Sequence, residues 1–155
     1  MIVFISMLLC LRDDEFDKKN ILINNRIKNN VINNSYFHRI YYSDDSFILN
    51  GITIEFTLKN INIEKHFNKI KINFNKKDNA NTIDNLLSIE EDLMNMFHYG
   101  KKRKLLLREQ IGNNYIKINN KIFNQYSEIK LILKISGFWE SVYDYGITFR
   151  CLNID

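Results

Sequence analysis

The sequence predicts a mainly β domain with one principal α-helix. Two apolar runs between Glu128 and Leu152 alternate with period two on either side of a short polar break, which is typical of a β-hairpin. Residues 52–58 alternate in the same way. Only Thr82 to His98 has its apolar residues at the three- and four-residue spacing of an amphipathic helix. We therefore expect a sheet with a single long helix packed against it.

The composition favours one folded domain over residues 1–155. Hydrophobic residues make up 45% of the chain, which is enough for a core and argues against wholesale disorder. Asn and Ile together account for about a third of the residues, and because both have AT-rich codons we give individual asparagines little weight. The two cysteines, Cys10 and Cys151, are too far apart in the sequence to suggest a disulfide framework, so a reducing compartment is the simpler expectation.

The N-terminal part of the chain has the least regular pattern. Residues 1–11 are apolar, but they lack a basic start and a cleavage site and are too short to span a bilayer, so we expect a buried strand. Charged residues from Arg12 to Lys19 end this element. Residues 21–34 hold either a short strand or a mobile connection. No transmembrane helix is predicted.

Three strands are predicted before the helix. Tyr36 to Tyr42 is rich in aromatic residues and ends at a polar turn over residues 43–46. The next run, residues 47–58, contains Asn50-Gly51, which either forms a tight type I′ hairpin turn or marks a bulge in one long strand. Residues 69–75 alternate between apolar and polar side chains and form the third strand.

Local signals also define the helix and the elements after it. Asn81 or Thr82 is a suitable N-cap, and Gly100 is a suitable C-cap. Lys101 to Gln110 is expected to continue as a basic helical turn, and residues 115–118 form a short strand. In the closing hairpin the residues expected to face the core are Ile129, Leu131, Leu133 and Ile135.

This order of elements matches an OB-like five-stranded barrel with the helix between strands 3 and 4. The OB-like core would cover about residues 36–152, with an N-terminal extension at residues 1–35. An unrelated α+β sandwich would give a similar order of elements, so both architectures remain open at this point.

The sequence carries no recognisable catalytic or metal-binding pattern. His38, His66 and His98 lie on different predicted elements without metal-ligand spacing, and neither cysteine completes a zinc pattern. Three acidic clusters are better explained as solvated charge than as Mg²⁺ ligands: residues 13–15, 44–45 and 90–92. We therefore expect no enzyme, no cofactor and no metal site.

Basic and aromatic residues form the pattern with a functional interpretation. The net charge is +4, and the clearest basic cluster is Lys101 to Lys104. Single-stranded nucleic acid is bound by Lys and Arg at its phosphates and by aromatic rings that stack on its bases. The candidate stacking residues are Tyr41, Tyr42, Trp139, Tyr143 and Tyr145. The candidate phosphate contacts are Lys101, Lys102, Arg103, Lys104, Arg108, Lys134 and Arg150. The competing interpretation is that the rings belong to the core and that the basic run is a solvated loop.

Two C-terminal segments, LREQIGNNYIKI (107–118) and LILKISGFWESVYDYGITFR (131–150), resemble small proteins encoded by large double-stranded DNA viruses of eukaryotes. In those proteins a lysine-bearing strand leads into a Ser-Gly and Trp-Glu run, and a Tyr-Gly-aliphatic-Thr-aromatic run follows. The matching positions are Lys134, Ser136, Gly137, Trp139, Glu140, Tyr145, Gly146, Thr148 and Phe149. The resemblance covers about the last third of the chain and is to virus-encoded single-stranded DNA-binding proteins of OB type.

The resemblance implies a single-stranded DNA-binding protein that acts stoichiometrically in viral replication or recombination. It would work inside an infected host cell, in the nucleus or cytoplasm, with single-stranded nucleic acid, a second copy of itself and replication proteins as partners and with no membrane contact. Residues 152–155 do not resemble the acidic tail through which phage proteins of this kind recruit polymerase, so such recruitment is not expected. The alternative is a structural or protein-interaction module, a virion or oligomer component, that binds no nucleic acid.

Overall fold

The computed structural model describes residues 10–97, 100–119 and 127–153. The protein is mainly β with one principal helix, as the sequence predicts. The strands are β1 (Leu11–Arg12), β2 (Ile21–Ile23), β3 (Ile27–Lys28), β4 (Tyr36–Ser43), β5 (Ile48–Asn50), β6 (Ile52–Lys59), β7 (Asn62–His66), β8 (Lys69–Asn73), β9 (Lys102–Lys104), β10 (Tyr115–Ile118), β11 (Glu128–Glu140) and β12 (Asp144–Asn153). The helices are α1 (Ala80–Met96) and α2 (Leu106–Gly112), with short 3₁₀ helices at Lys18–Asn20 and Lys77–Asn79.

Most of the predicted strands are confirmed. The predictions at residues 36–42, 52–58, 69–75 and 115–118 correspond to β4, β6, β8 and β10, and the closing hairpin is β11 and β12. The predicted strand within residues 1–9 and the predicted helix end at His98 lie outside the described residues.

The larger sheet is built around β11. One edge of β11 pairs antiparallel with β12, and the other edge pairs with β6 over residues 128–135 and with β4 over residues 137–140. β9 pairs in parallel with the beginning of β12, and β1 pairs in parallel with β6. β2, β3 and β5 all pair with β4, which gives a sheet of nine strands.

A bulge allows one edge of β11 to pair with two different strands. The register between β11 and β12 shifts between Ile135 and Gly137, where the other partner of β11 changes from β6 to β4. A glycine is needed at this point, because a Cβ on Gly137 would lie 2.0 Å from the carbonyl oxygen of His38.

Gly51 does not form the tight hairpin turn that the sequence offers as one alternative, and it marks instead a change of pairing partner within an extended segment. β5, before it, pairs with β4, whereas β6, after it, pairs with β11. Gly51 has φ of +83°, and a Cβ there would lie 2.7 Å from the carbonyl oxygen of Ile135. The expected positive φ is therefore present and the chain stays extended through this dipeptide, so the hairpin-turn alternative is wrong.

The inner face of the larger sheet packs against α1. The four hairpin residues predicted to face the core are all buried, and α1 contributes the buried side chains Ile83, Leu86, Ile89, Leu93 and Met94. Just after α1, the ring of Phe97 stacks on Phe138 with a centroid distance of 4.3 Å and an interplanar angle of 2°. The ring of His38 meets the same Phe97 edge-on at 4.4 Å.

A second sheet of three antiparallel strands, in the order β7, β8, β10, closes one side of the core. Its apolar side chains, among them Ile72 and Ile116, join the same hydrophobic cluster as the larger sheet. The backbone N–H of Asn119 donates to the carbonyl oxygen of Cys151 at 3.0 Å, which connects the end of β10 to β12. Over the described residues the two sheets do not close into a barrel, so the predicted five-stranded barrel is not confirmed.

The basic run after α1 is an edge strand, which corrects the first half of the predicted helical turn at residues 101–110, whereas residues 106–110 are helical as predicted. β9 pairs with the start of β12, and α2 begins only after it. The buried carboxylate of Glu90 accepts hydrogen bonds from the N–H groups of Leu107 (3.0 Å) and Arg108 (2.8 Å) in the first turn of α2. Burial raises the pKa of Glu90, although these two N–H groups act against that shift. Glu90 thus serves as the external cap of α2.

Candidate functional site

The side of the larger sheet that points away from α1 is called the outer face below. Residues directly opposite each other on neighbouring strands point to the same side of a sheet. The register therefore defines three rows of outer-face residues next to the bulge. The first row is Thr53, Lys134 and Arg150; the second is Arg39, Gly137 and Thr148; the third is Ile27, Phe37, Trp139, Gly146 and Lys104.

Two aromatic rings of the outer face lie above glycines. A Cβ on Gly146 would be 3.0 Å from Cζ2 and Nε1 of Trp139, and a Cβ on Gly137 would be 2.8 Å from Cζ of Phe37. Phe37 and Trp139 are directly opposite each other on β4 and β11, and both are partly exposed. The two glycines therefore give space for a pair of neighbouring rings close to the surface of the sheet.

Basic residues surround this pair of rings. Among the described residues, none of four outer-face cations has an acidic partner: Arg39, Lys104, Lys134 and Arg150. Lys134 and Arg150 are directly opposite each other, and the neighbour of Lys134 on β6 is the neutral Thr53. Like charges at opposed positions of a sheet repel each other. This part of the outer face is therefore suited to hold an anion between two cations.

A cleft of about 440 Å³ adjoins the outer face where the two sheets and α2 meet. Trp139 and Thr148 line it from the larger sheet, Tyr115 and Lys117 line it from β10, and Gln110 lines it from α2. Because Tyr115 and Lys117 alternate with the buried residues of β10, they belong to the solvent-facing side of the small sheet. The cleft thus joins the solvent-facing sides of both sheets.

Lys101, a predicted phosphate contact, is instead partly buried and paired with a carboxylate on the inner side of the sheet. Its Nζ donates to Oε1 of Glu140 at 2.5 Å and to the carbonyl oxygen of Ser141 at 2.7 Å. The other carboxylate oxygen of Glu140 is 3.1 Å from Nε2 of His38. Burial alone would raise the pKa of Glu140, but the hydrogen bonds from Lys101 and His38 outweigh it, and the pKa lies below its ordinary value.

Arg103 and Arg108 are likewise engaged by an acidic residue on the inner side. Arg103 Nη2 lies 3.0 Å from Oε1 of Glu91, and Arg108 Nη2 lies 3.8 Å from its Oε2. Glu91 belongs to α1, so both guanidinium groups are on the helix side of the sheet and not on the outer face. The basic run therefore alternates, with Lys102 and Lys104 on one side of β9 and Arg103 on the other.

The predicted stacking residues also divide by exposure. Tyr42 and Tyr145 are each only 2% exposed, so neither ring offers a face to a base, and this corrects their assignment. Tyr143 is 78% exposed beside the β11–β12 turn. Tyr41 is partly exposed and lies on the same side of β4 as Phe37, with its hydroxyl 3.4 Å from Nδ2 of Asn24. Trp139 lies in the same row as Lys104, a cation without an acidic partner in the described part of the chain.

Two residues of the outer face were not among the predicted site residues. Phe37 and Arg39 alternate with the buried His38 and Ile40 in β4. That alternation is visible in the sequence, and it would have grouped Phe37, Arg39 and Tyr41 on one side of the strand. What the sequence does not reveal is that this strand pairs with the Trp139 segment of β11.

Neither a metal site nor a membrane span is found in the part of the chain that the structure describes. His, Cys, Asp and Glu side chains form no group of three or more there that could hold a metal ion. No helix among residues 10–97, 100–119 and 127–153 has both the length and the apolar character needed to cross a bilayer. Comparisons with protein-family models, curated proteins and solved structures give no match.

Proposed function

We propose that the chain binds single-stranded nucleic acid on its outer face. Phosphates lie between Lys134 and Arg150, and bases stack on Trp139 and Phe37. Lys104 stands in the row of the rings, Arg39 stands in the row between the rings and the cation pair, and both extend the basic surface. The chain acts stoichiometrically, as a coating protein without catalytic activity.

The observation that carries this proposal is the opposed pair of cations. Lys134 and Arg150 face the same side of adjacent strands, with no acidic residue among the described residues to neutralise them. Their repulsion is unfavourable in the free protein, and a phosphate bound between them would convert it into attraction. If these charges served only solubility, an acidic residue opposite one of the two cations would give a more stable sheet.

The neighbouring rings account for binding without strong base preference. Every base has a π-face, so stacking on Trp139 and Phe37 tolerates any sequence and contributes about 1–3 kcal/mol per base. The separation of Arg150 from Gly146 along β12 is about 13 Å, from four residues at about 3.3 Å each. A strand of nucleic acid laid along β12 would thus contact the cation pair and the rings together.

The proposal extends to the mode of binding and to the process in which the chain acts. The outer face would work as an OB-like binding surface does, with a sheet that presents both cations and rings to a single strand. Action in viral DNA replication or recombination is proposed from the C-terminal resemblance, and replication proteins or a second copy of the chain would be its protein partners.

The proposal is tested by fluorescence polarisation of a labelled oligo-dT titrated with the double variant Lys134→Gln/Arg150→Gln. Each phosphate contact to a single strand contributes about 0.7 to the slope of log K against log salt concentration, so the slope should flatten by about 1.4. Loss of these two phosphate contacts should also weaken binding by up to about 60-fold at about 50 mM salt. A matched control is Lys18→Gln/Lys19→Gln, which removes two exposed charges from the 3₁₀ helix before β2.

The control should bind like the parent protein with an unchanged salt slope. The proposal is wrong if the two double variants lose the same affinity, because binding would then depend on total charge only. It is also wrong if the parent protein gives no salt-sensitive polarisation signal.

One observation favours the alternative of a protein-interaction module. Ile27, Val31 and Ile32 are 56%, 91% and 60% exposed, and Ile27 lies directly opposite Phe37. An apolar patch of this kind suits contact with another protein or a second copy of the chain. Light scattering distinguishes the two functions, because an oligomer that dissociates on Ile27→Ser/Ile32→Ser substitution, in a chain without oligo-dT affinity, would favour the interaction module.

A further inference from the structure

The β7–β8 hairpin has an unusual residue at its tip. His66 and Lys69 are paired, so the loop consists of Phe67 and Asn68 alone. Phe67 has φ of +53°, in the left-handed region where a side chain with a Cβ is unfavourable. Tight hairpin loops normally place Gly, Asn or Asp at such a position.

Elsewhere the chain uses asparagine for this conformation. Among the described residues, the other non-glycine positions with positive φ are Asn34, Asn60 and Asn114. Asparagine is abundant in this sequence and occupies the very next position, 68. A phenylalanine at position 67 therefore has no local conformational advantage.

Packing gives no compensation for the strain. Phe67 is 101% exposed, so its ring buries no surface in the core. Within the described part of the chain its ring meets only His66, with centroids 5.7 Å apart and an interplanar angle of 26°. A strained and fully exposed aromatic ring is free to contact a molecule outside its own chain.

The charge around the tip indicates the nature of that contact. Between Lys65 and Lys71 the chain carries three lysines and no acidic residue. Lys69 and Lys71 lie on the solvent-facing side of β8, where Lys71 is directly opposite Lys117 of β10 on one side and Glu64 of β7 on the other. Glu64 thus balances only part of the positive charge near the tip, and through Lys117 these lysines adjoin the cleft that Trp139 and Glu109 also line.

We infer that Phe67 is a second stacking platform for an unpaired base, with Lys69 and Lys71 as its phosphate contacts. This inference rests on the proposed function and extends it from the outer face to the β7–β8 hairpin. The partner class is a single strand long enough to follow both sheets. The ring of His66 is inclined by 26° to that of Phe67 with centroids 5.7 Å apart, and Phe67 remains fully exposed to a base.

The substitution Phe67→Asn separates a binding role from a structural one. Asparagine accepts positive φ more readily, so the variant should unfold at a melting temperature equal to that of the parent or a few degrees higher. Affinity for oligo-dT should fall by about 5- to 150-fold, which is the expected loss of one base stack. Phe67→Tyr, which keeps an aromatic ring, should retain nearly all of the affinity.

A direct readout uses the double variant Trp139→Phe/Phe67→Trp. Because the parent chain has a single Trp, all tryptophan emission of this variant comes from position 67. Addition of oligo-dT should quench that emission with the same midpoint as the polarisation titration.

The outcomes distinguish the two proposals. Full affinity of Phe67→Asn, together with the expected loss in Lys134→Gln/Arg150→Gln, would overturn the role of Phe67 and leave the outer-face proposal intact. A lower melting temperature of Phe67→Asn with unchanged affinity would make Phe67 a structural residue. Absence of oligo-dT binding by the parent chain would overturn both.

Discussion

Substitution of Lys101 by methionine tests whether the first residue of the basic run is a buried ion-pair partner. The side chain of Glu140 is 3% exposed and that of Lys101 is 24% exposed. Lys101→Met would leave the buried carboxylate of Glu140 with His38 as its one remaining side-chain partner among the described residues. Removal of one partner of a buried pair costs about 3–5 kcal/mol, and the partial exposure of Lys101 favours the lower end of that range.

The expected loss is therefore about 3 kcal/mol in the free energy of unfolding, measured by urea denaturation with circular dichroism. For a chain of this length it corresponds to a melting temperature lower by about 6–12 °C. Lys102→Met is the matched control, because Lys102 is exposed, adjacent and on the other side of β9, and its expected loss is below about 0.5 kcal/mol.

A second variant identifies the cause of the loss. Glu140→Gln added to Lys101→Met removes the uncompensated charge and should restore part of the stability. Equal and small losses for Lys101→Met and Lys102→Met would refute the reasoning, because Lys101 would then be an ordinary surface lysine. A double variant less stable than Lys101→Met alone would also contradict it.

Two other predictions concern buried carboxylates. Folding lowers the pKa of Glu140, so its ionised carboxylate stabilises the protein above its ordinary pKa of 4.5. This stabilisation is lost as the pH falls through the lower pKa of the folded state. Glu140→Gln should therefore make the free energy of unfolding fall less steeply in acid. An unchanged acid profile of Glu140→Gln in urea titrations at several pH values would contradict this. Glu90→Ala should lower the free energy of unfolding by about 1–3 kcal/mol, because the N–H groups of Leu107 and Arg108 lose their buried acceptor. A loss below about 0.5 kcal/mol would show that water replaces the carboxylate.

The elements that the sequence predicts well are those with a clear hydrophobic period. β6, β11 and β12 alternate over seven or more residues, and α1 has a long apolar stripe that is buried as expected. Such patterns identify both the element and the side that faces the core. The inward positions of the closing hairpin are accordingly all correct.

The prediction that residues 101–104 form one cluster of phosphate contacts is wrong because the alternation of these residues cannot be seen in the sequence. All four residues from Lys101 to Lys104 are basic, so a period of two leaves no trace in their hydrophobicity. The side of β9 on which each cation lies is decided by Glu140 and Glu91, which are distant in the sequence. The predicted cluster of phosphate contacts consequently splits between the two sides of the strand.

Long-range pairing also decides the architecture and the candidate site. The bulge after Ile135 and the partner change at Gly51 depend on contacts of β11 with two different strands. Neither partner change is encoded locally, since Asn50-Gly51 is compatible with both a hairpin turn and a bulge. The sequence indicates Trp139 as a candidate, but it does not reveal that Phe37 is its neighbour, because the pairing of β4 with β11 is a long-range contact.

The most direct test of the outer-face proposal is a titration of the parent protein with oligo-dT, observed through tryptophan emission. Trp139 is the single Trp of the chain, so the emission reports on the proposed stacking site alone. We expect saturable quenching at low salt that added salt reverses, with the midpoint found by polarisation. Oligonucleotide binding in the polarisation assay without any change in this emission would contradict stacking on Trp139, and absence of binding would contradict the proposal as a whole.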